Sequence, residues 1–180
     1  FSTSGNFNVG NSPLAVKSAD FHGDGKKDLV VSHFISTFIS VLLGNGTGGF
    51  SVASTYAVGF NNATSLVCKD MDADNITDIL VSTTGRIGFF KGTGSGTFSS
   101  IVNSLATNQP YDMEVRDFNG NGTDDLVTSA GSATFDTYTI SPSVSFIPMG
   151  SYTVTTPGDD YYSVESADFN SDGKYDLVLT

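Results

Sequence analysis

One acidic segment occurs four times along this chain at nearly constant spacing, and any fold must accommodate it. The first copy reads Asp20-Phe21-His22-Gly23-Asp24-Gly25-Lys26-Lys27-Asp28-Leu29-Val30-Val31. The second reads Asp70-Met71-Asp72-Ala73-Asp74-Asn75-Ile76-Thr77-Asp78-Ile79-Leu80-Val81. The third runs from Asp117 to Val127 and the fourth from Asp168 to Val178. Their leading aspartates stand at 20, 70, 117 and 168, so the repeat length is 50, 47 and 51 residues. Periods of this size with short strand-like runs between them predict β-propeller blades, each of four strands.

The sequence around each segment parses accordingly. Residues 14–19 are an extended lead-in, and a β-branched run from Asp28 to Ser32 follows the loop. Residues 38–43 make a third strand, 44–49 a glycine-rich turn and 50–58 a fourth strand. The second unit repeats this order with 87–91, a turn at 92–96 and 97–102. In the third unit, 144–150 is expected as the third strand and 152–154 as the fourth, the turn having shrunk to Gly150-Ser151. Helical periodicity is missing, and 20 glycines with only 15% charged residues suit short strands and tight turns. The predicted fold class is therefore all-β, a propeller of four-stranded blades.

The expected divisions are 1–10 as the last strand of a preceding blade, 11–60, 61–108 and 109–160 as whole blades, and 161–180 as two strands of another. Three whole blades fall below the four needed for closure and leave unpaired sheet edges. Further blades are expected from the same polypeptide or from partner subunits.

Loop positions 1, 3, 5 and 9 carry oxygen-rich side chains in almost every copy. They are Asp20, His22, Asp24 and Asp28; Asp70, Asp72, Asp74 and Asp78; Asp117, Asn119, Asn121 and Asp125; and Asp168, Asn170, Asp172 and Asp176. Position 7, held by Lys26, Ile76, Thr123 and Lys174, offers a backbone carbonyl. Ca²⁺ takes six to eight oxygens at flexible distances, and alternate side chains of a tight turn converge to supply them. Position 6 requires a left-handed backbone, which Gly25, Gly122 and Gly173 accept and which Asn75 tolerates best among other residues. Up to four Ca²⁺ ions are expected. The second loop, with four carboxylates, should bind tightest and the third, with two, weakest. Imidazole is a poor Ca²⁺ partner, so His22 is expected to turn away and leave its place to water. Simple Asx-turns also favour Asp, Asn and Gly, but a plain turn gives no reason to gather mutually repelling carboxylates within nine residues.

The Asp-Phe-x-x-Asp-Gly-x-x-Asp-Leu pattern, the Leu42-Leu43-Gly44-Asn45-Gly46 turn and the trailing Phe strands resemble the FG-GAP/VCBS repeat. That repeat builds integrin α-subunit propellers and integrin-like fungal lectins. The resemblance implies a seven-bladed propeller with Ca²⁺ between the first two strands of a blade. It also implies a secreted or cell-surface setting and a recognition or adhesion role toward a glycan or an extracellular protein. Two other roles are open: a structural repeat of a larger surface filament or adhesin, and a non-catalytic module appended to an enzyme.

Composition narrows the field further. A formal net charge of −11 argues against binding a phosphate backbone, and no apolar run is long enough to span a bilayer. Cys68, the single cysteine, has no internal disulfide partner and is read as a core filler. The glycine-rich turns lack the Gly-Lys-Ser/Thr and following helix of a phosphate-binding loop. Asn45 and Asn62 head the sequons best placed for a glycan, because those at Asn75 and Asn121 fall inside acidic loops. His33 has no nucleophile motif around it, and the paired carboxylates are already assigned to metal, so no catalytic activity is expected.

Overall fold

In the computed structural model the chain is described over residues 5–99, 101–105, 110–130, 133–154 and 162–180. Fourteen strands and no helix occupy them, so no helix among the described residues is long and apolar enough to cross a membrane. The first sheet pairs β1 (Pro13–Ala19), β2 (Asp28–His33), β3 (Phe38–Gly44) and β4 (Phe50–Ala57) in chain order. The second does the same with β5 (Leu66–Lys69), β6 (Asp78–Thr83), β7 (Arg86–Phe90) and β8 (Val102–Leu105). The third contains β9 (Asp112–Arg116), β10 (Asp125–Ser129), β11 (Thr134–Ile140) and β12 (Phe146–Thr153). A two-stranded sheet of β13 (Val164–Ala167) and β14 (Asp176–Leu179) follows. All pairings are antiparallel, and the first strands lie side by side, β1 against β5, β5 against β9 and β9 against β13. Meanders arranged with their first strands innermost are propeller blades.

The blades are held face to face by apolar side chains from alternate strand positions. Strand β6 is buried at all six residues, as expected for a strand covered on both faces. Its Ile79 and Val81 pack with Val30, Ile39 and Val41 of the first blade. Leu80 points the other way, into a cluster with Val115, Leu126 and Tyr138 of the third. One sheet therefore serves two cores. Tyr56 of β4 reaches across the first interface, with ring centroids 5.9 Å from Phe90 and 5.5 Å from Phe98. The outer strands β4 and β12 are largely exposed. Each carries one unmatched residue, Ala53 between the Val41–Ser54 and Leu42–Val52 pairs and Met149 between Thr137–Gly150 and Tyr138–Pro148. Pro148 sits at the outer edge, where a missing amide costs no ladder bond.

Four strand assignments differ from the sequence expectation. In the third blade the third strand is β11, not 144–150, and the fourth is the unbroken β12. Asp136, Tyr138 and Ile140 alternate inward along β11, and Ser141-Pro142-Ser143 forms the turn, with the Val144 amide donating to Ser141 O at 2.8 Å. Gly150 and Ser151 lie within β12 beside its bulge. In the second blade the described part of the run from 97 forms a Gly92–Phe98 bridge, and the fourth strand is β8 (Val102–Leu105). At the N-terminus, residues 1–4 of the expected first strand lie outside the described residues, and residues 5–9 form no strand. Gly5 and Gly10 have φ of 123° and 105°, which breaks an extended ladder. Phe7 instead packs edge-on against Phe50, centroids 5.5 Å apart.

Candidate metal loops

Each acidic segment forms the connection between the first and second strands of its blade: β1–β2, β5–β6, β9–β10 and β13–β14. Local hydrogen bonding explains why the side chains converge. The position-1 carboxylate caps the amide at position 6 in every loop: Asp20 from Gly25 and Asp70 from Asn75, each at 2.8 Å. Asp117 does so from Gly122 at 2.8 Å and Asp168 from Gly173 at 2.9 Å. These amides hold the Asp20 and Asp117 carboxyls below the usual carboxylate range, with the position-6 amide the largest cause. The position-5 oxygen accepts the amide of position 7, from Lys26, Ile76, Thr123 and Lys174 at 2.7–2.9 Å. The Asx-turn geometry is thus present in all four loops. In the first two loops it turns the chain so that positions 1, 3 and 9 share one side.

Position 6 is left-handed as expected, with φ of 79° at Gly25, 64° at Asn75, 84° at Gly122 and 83° at Gly173. Position 4 is left-handed too: 73° at Gly23, 62° at Ala73, 75° at Gly120 and 60° at Ser171. Sequence reasoning missed this second reversal because Ala73 and Ser171 disguise it.

Position 9 anchors the loop to the sheet. Asp28 and Asp78 are fully buried. Asp28 accepts the Phe21 amide at 2.8 Å and the Gly44 amide at 2.9 Å. Asp78 accepts the Met71 amide at 2.9 Å and the Gly92 amide at 2.8 Å. Burial nonetheless pushes the Asp78 carboxyl upward. In the third blade Ile140 occupies the place of Gly44 and Gly92, and its amide donates to Asp124 O instead. Buried Asp125 is left with its Oδ1 lacking a hydrogen-bond partner and its carboxyl pushed upward by burial.

Among the described residues, three acidic or imidazole side chains converge within 4.8 Å at two places, Asp20–His22–Asp28 and Asp70–Asp72–Asp78. The second set is all oxygen, and Asp72 Oδ1 is buried without a hydrogen-bond partner. An oxygen so placed is suited to a hard cation, and the second loop fits Ca²⁺. In the first loop His22 does not turn away. Its Nδ1 lies 2.8 Å from Asp28 Oδ2 and its Nε2 3.0 Å from Asp24 Oδ2. An imidazole between two carboxylates is better placed with its protons than without, and the Asp28 contact raises its pKa. Asn119 takes the same place in the third loop, donating from Nδ2 to Asp125 Oδ2 at 2.8 Å. In the fourth loop, Asp176 accepts the Phe169 amide at 3.0 Å. A further cation was unforeseen. Lys91, just after β7, places its ammonium on Asp72 and 2.7 Å from Asp74 Oδ2. The register gives the missed signal, since Ile79 opposite Phe90 sets Lys91 opposite Asp78.

Residues 20–81 and 70–128 match the FG-GAP-like repeat, and the chain belongs to this repeat family. No curated protein sequence matches it. The fold is similar to that of BBS1N in its complex with ARL6DN, at a TM-score of 0.62 and 13% identity over 95% of this chain and 51% of that one. It is also similar to a functionally unknown protein from Desulfotomaculum acetoxidans, at a TM-score of 0.63 and 12% identity over 81% of this chain and 44% of that one. The Photorhabdus luminescens Tc holotoxin pore matches at a TM-score of 0.55 and 17% identity, over 91% of this chain and 8% of that one. At these identities the likeness is one of fold. The chain spans about half the length of the first two relatives.

Proposed function

We propose that this chain is a calcium-stabilised, non-catalytic recognition module of the secreted or cell-surface kind, whose partner is a glycan or another protein. The observation that carries the calcium reading is the Asp70–Asp72–Asp78 cluster with its buried, unpartnered Asp72 Oδ1. The residues that would hold the ions are those of loop positions 1, 3, 5 and 9, with the carbonyl of position 7. Binding to sites that exist only in the folded chain adds to stability by mass action. Membership in the repeat family supports a recognition role. So does the relative BBS1N, which was crystallised in complex with a second protein.

Two measurements test this reading. Calorimetric titration of Ca²⁺ into chelator-stripped protein should show binding, and excess chelator should lower the melting temperature by several degrees. An unchanged melting curve would leave the loops as turns only. A glycan array with and without chelator then addresses the partner. Calcium-dependent sugar binding supports a lectin, binding to other proteins alone supports a protein partner, and self-association alone favours a structural repeat.

A further inference from the structure

The second loop carries the most carboxylates and also has a cation of its own. Lys91 Nζ contacts Asp72 Oδ2 and lies 2.7 Å from Asp74 Oδ2, with its side chain 43% exposed. Strand register places Leu43 and Thr139 at the same position in the neighbouring blades. Neither carries a charge. The remaining acids of the loop are engaged by backbone amides, Asp70 by Asn75 and Asp78 by Met71 and Gly92. Asp72 and Asp74 are the members that share a side-chain cation, Asp74 also accepting the Ile76 amide. Asp72 is divided, one oxygen on Lys91 and the other buried and unpartnered.

We propose that Lys91 is a tethered counter-cation of the second loop, holding Asp72 and Asp74 in the metal-free chain and exchanging with Ca²⁺ when the ion binds. This rests on the calcium reading above. A divalent ion and an ammonium a few ångströms apart repel strongly, so the ion cannot take those two carboxylates while Lys91 stays. The flexible, partly exposed stem lets the ammonium leave into solvent. Two consequences follow. The loop with four carboxylates binds Ca²⁺ as though it had fewer, which alters the ranking that counting acids suggests. In the metal-free second loop one of the four carboxylate charges stays offset by Lys91, so that blade tolerates chelator better than its acidity implies.

The test uses the full chain and three forms, wild type, K91M and K91R, each titrated with Ca²⁺ by calorimetry and melted in excess chelator. K91M should bind Ca²⁺ at one site roughly two- to fivefold tighter than wild type, melt lower in chelator, and regain more on adding Ca²⁺. K91R, which keeps the charge, should behave as wild type. Wild type that binds Ca²⁺ while K91M matches it in affinity and in chelator overturns the exchange and leaves the calcium reading standing. If no form binds Ca²⁺, the calcium reading itself fails, and a chelator-insensitive loss of stability in K91M then marks a permanent ion pair. Should K91M not fold in either condition, K91Q is titrated against the same expectations.

Discussion

Asp28 Oδ1 accepts the amide of Gly44 at 2.9 Å, tying the acidic loop of the first blade to the end of its third strand. The bond requires glycine. A Cβ at Gly44 would stand 2.1 Å from the carbonyl oxygen of Lys27, and one at Gly92 2.4 Å from that of Thr77. Both obstacles are backbone and cannot rotate aside. Gly44→Ala and Gly92→Ala should each lower unfolding free energy by roughly 2–4 kcal/mol in urea titration, through strain and loss of the amide–carboxylate bond. A change below about 0.5 kcal/mol, the usual range for a surface site, would show that the close approach is not maintained in solution.

Ala73 and Ser171 make the opposite case. Both adopt φ near +60°, and at the equivalent Gly23 and Gly120 a Cβ would meet only open space. The penalty is therefore in the backbone alone, since a Cβ in the left-handed region crowds the following carbonyl. Ala73→Gly and Ser171→Gly should raise stability, by about 0.5–1 kcal/mol after the entropy cost of glycine is subtracted. Thermal melts of the two single variants check this, and a lowered melting temperature in both would contradict it.

Cys68 packs against the first core, and burial pushes its thiol up to about 12. Its thiolate is scarce at neutral pH, so a disulfide-exchange reagent at pH 8 should label it only after unfolding. The linkage has a definite sign. Above the ordinary value of 9.0 the unfolded chain loses the proton while the folded chain keeps it. Stability is therefore retained below pH 9 and falls as pH rises toward 12. Cys68→Ala should flatten that part of the stability–pH curve. Rapid labelling of the native protein would refute the assignment.

Asp112 joins three blades through one carboxylate. It accepts the Ser65 hydroxyl at 2.6 Å from the second blade, and the Ser163 hydroxyl at 2.8 Å and Val164 amide at 3.1 Å from the fourth. Hydrogen bonds to a charged acceptor contribute more than neutral ones. Asp112→Ala should cost about 2–3 kcal/mol, and a double-mutant cycle with Ser65→Ala should show coupling near 1 kcal/mol. Zero coupling would mean the carboxylate is satisfied by water instead.

Much of this protein was legible in the residues. The period of the acidic segment determined the blades, because a strand–loop–strand unit of fixed length must recur wherever the loop does. Asp, Asn and Gly at fixed offsets determined the loop conformation, since capping at positions 1 and 5 and the left-handed turn at position 6 are local. The strands beside each loop followed for the same reason. What the tertiary structure decided depended on residues far apart in sequence. The third blade's outer strands were misread because its turn is Ser141-Pro142-Ser143 where the other blades use glycines, and burial, not turn chemistry, selects β11. His22 faces inward because Asp24 and Asp28 flank it once the loop closes. Lys91 reaches Asp72 and Asp74, 19 and 17 residues earlier, only because β6–β7 pairing carries it back beside their loop. Local propensity sets the turns; which charge meets which carboxylate is set by strand register, and register is fixed by packing of both faces of each blade.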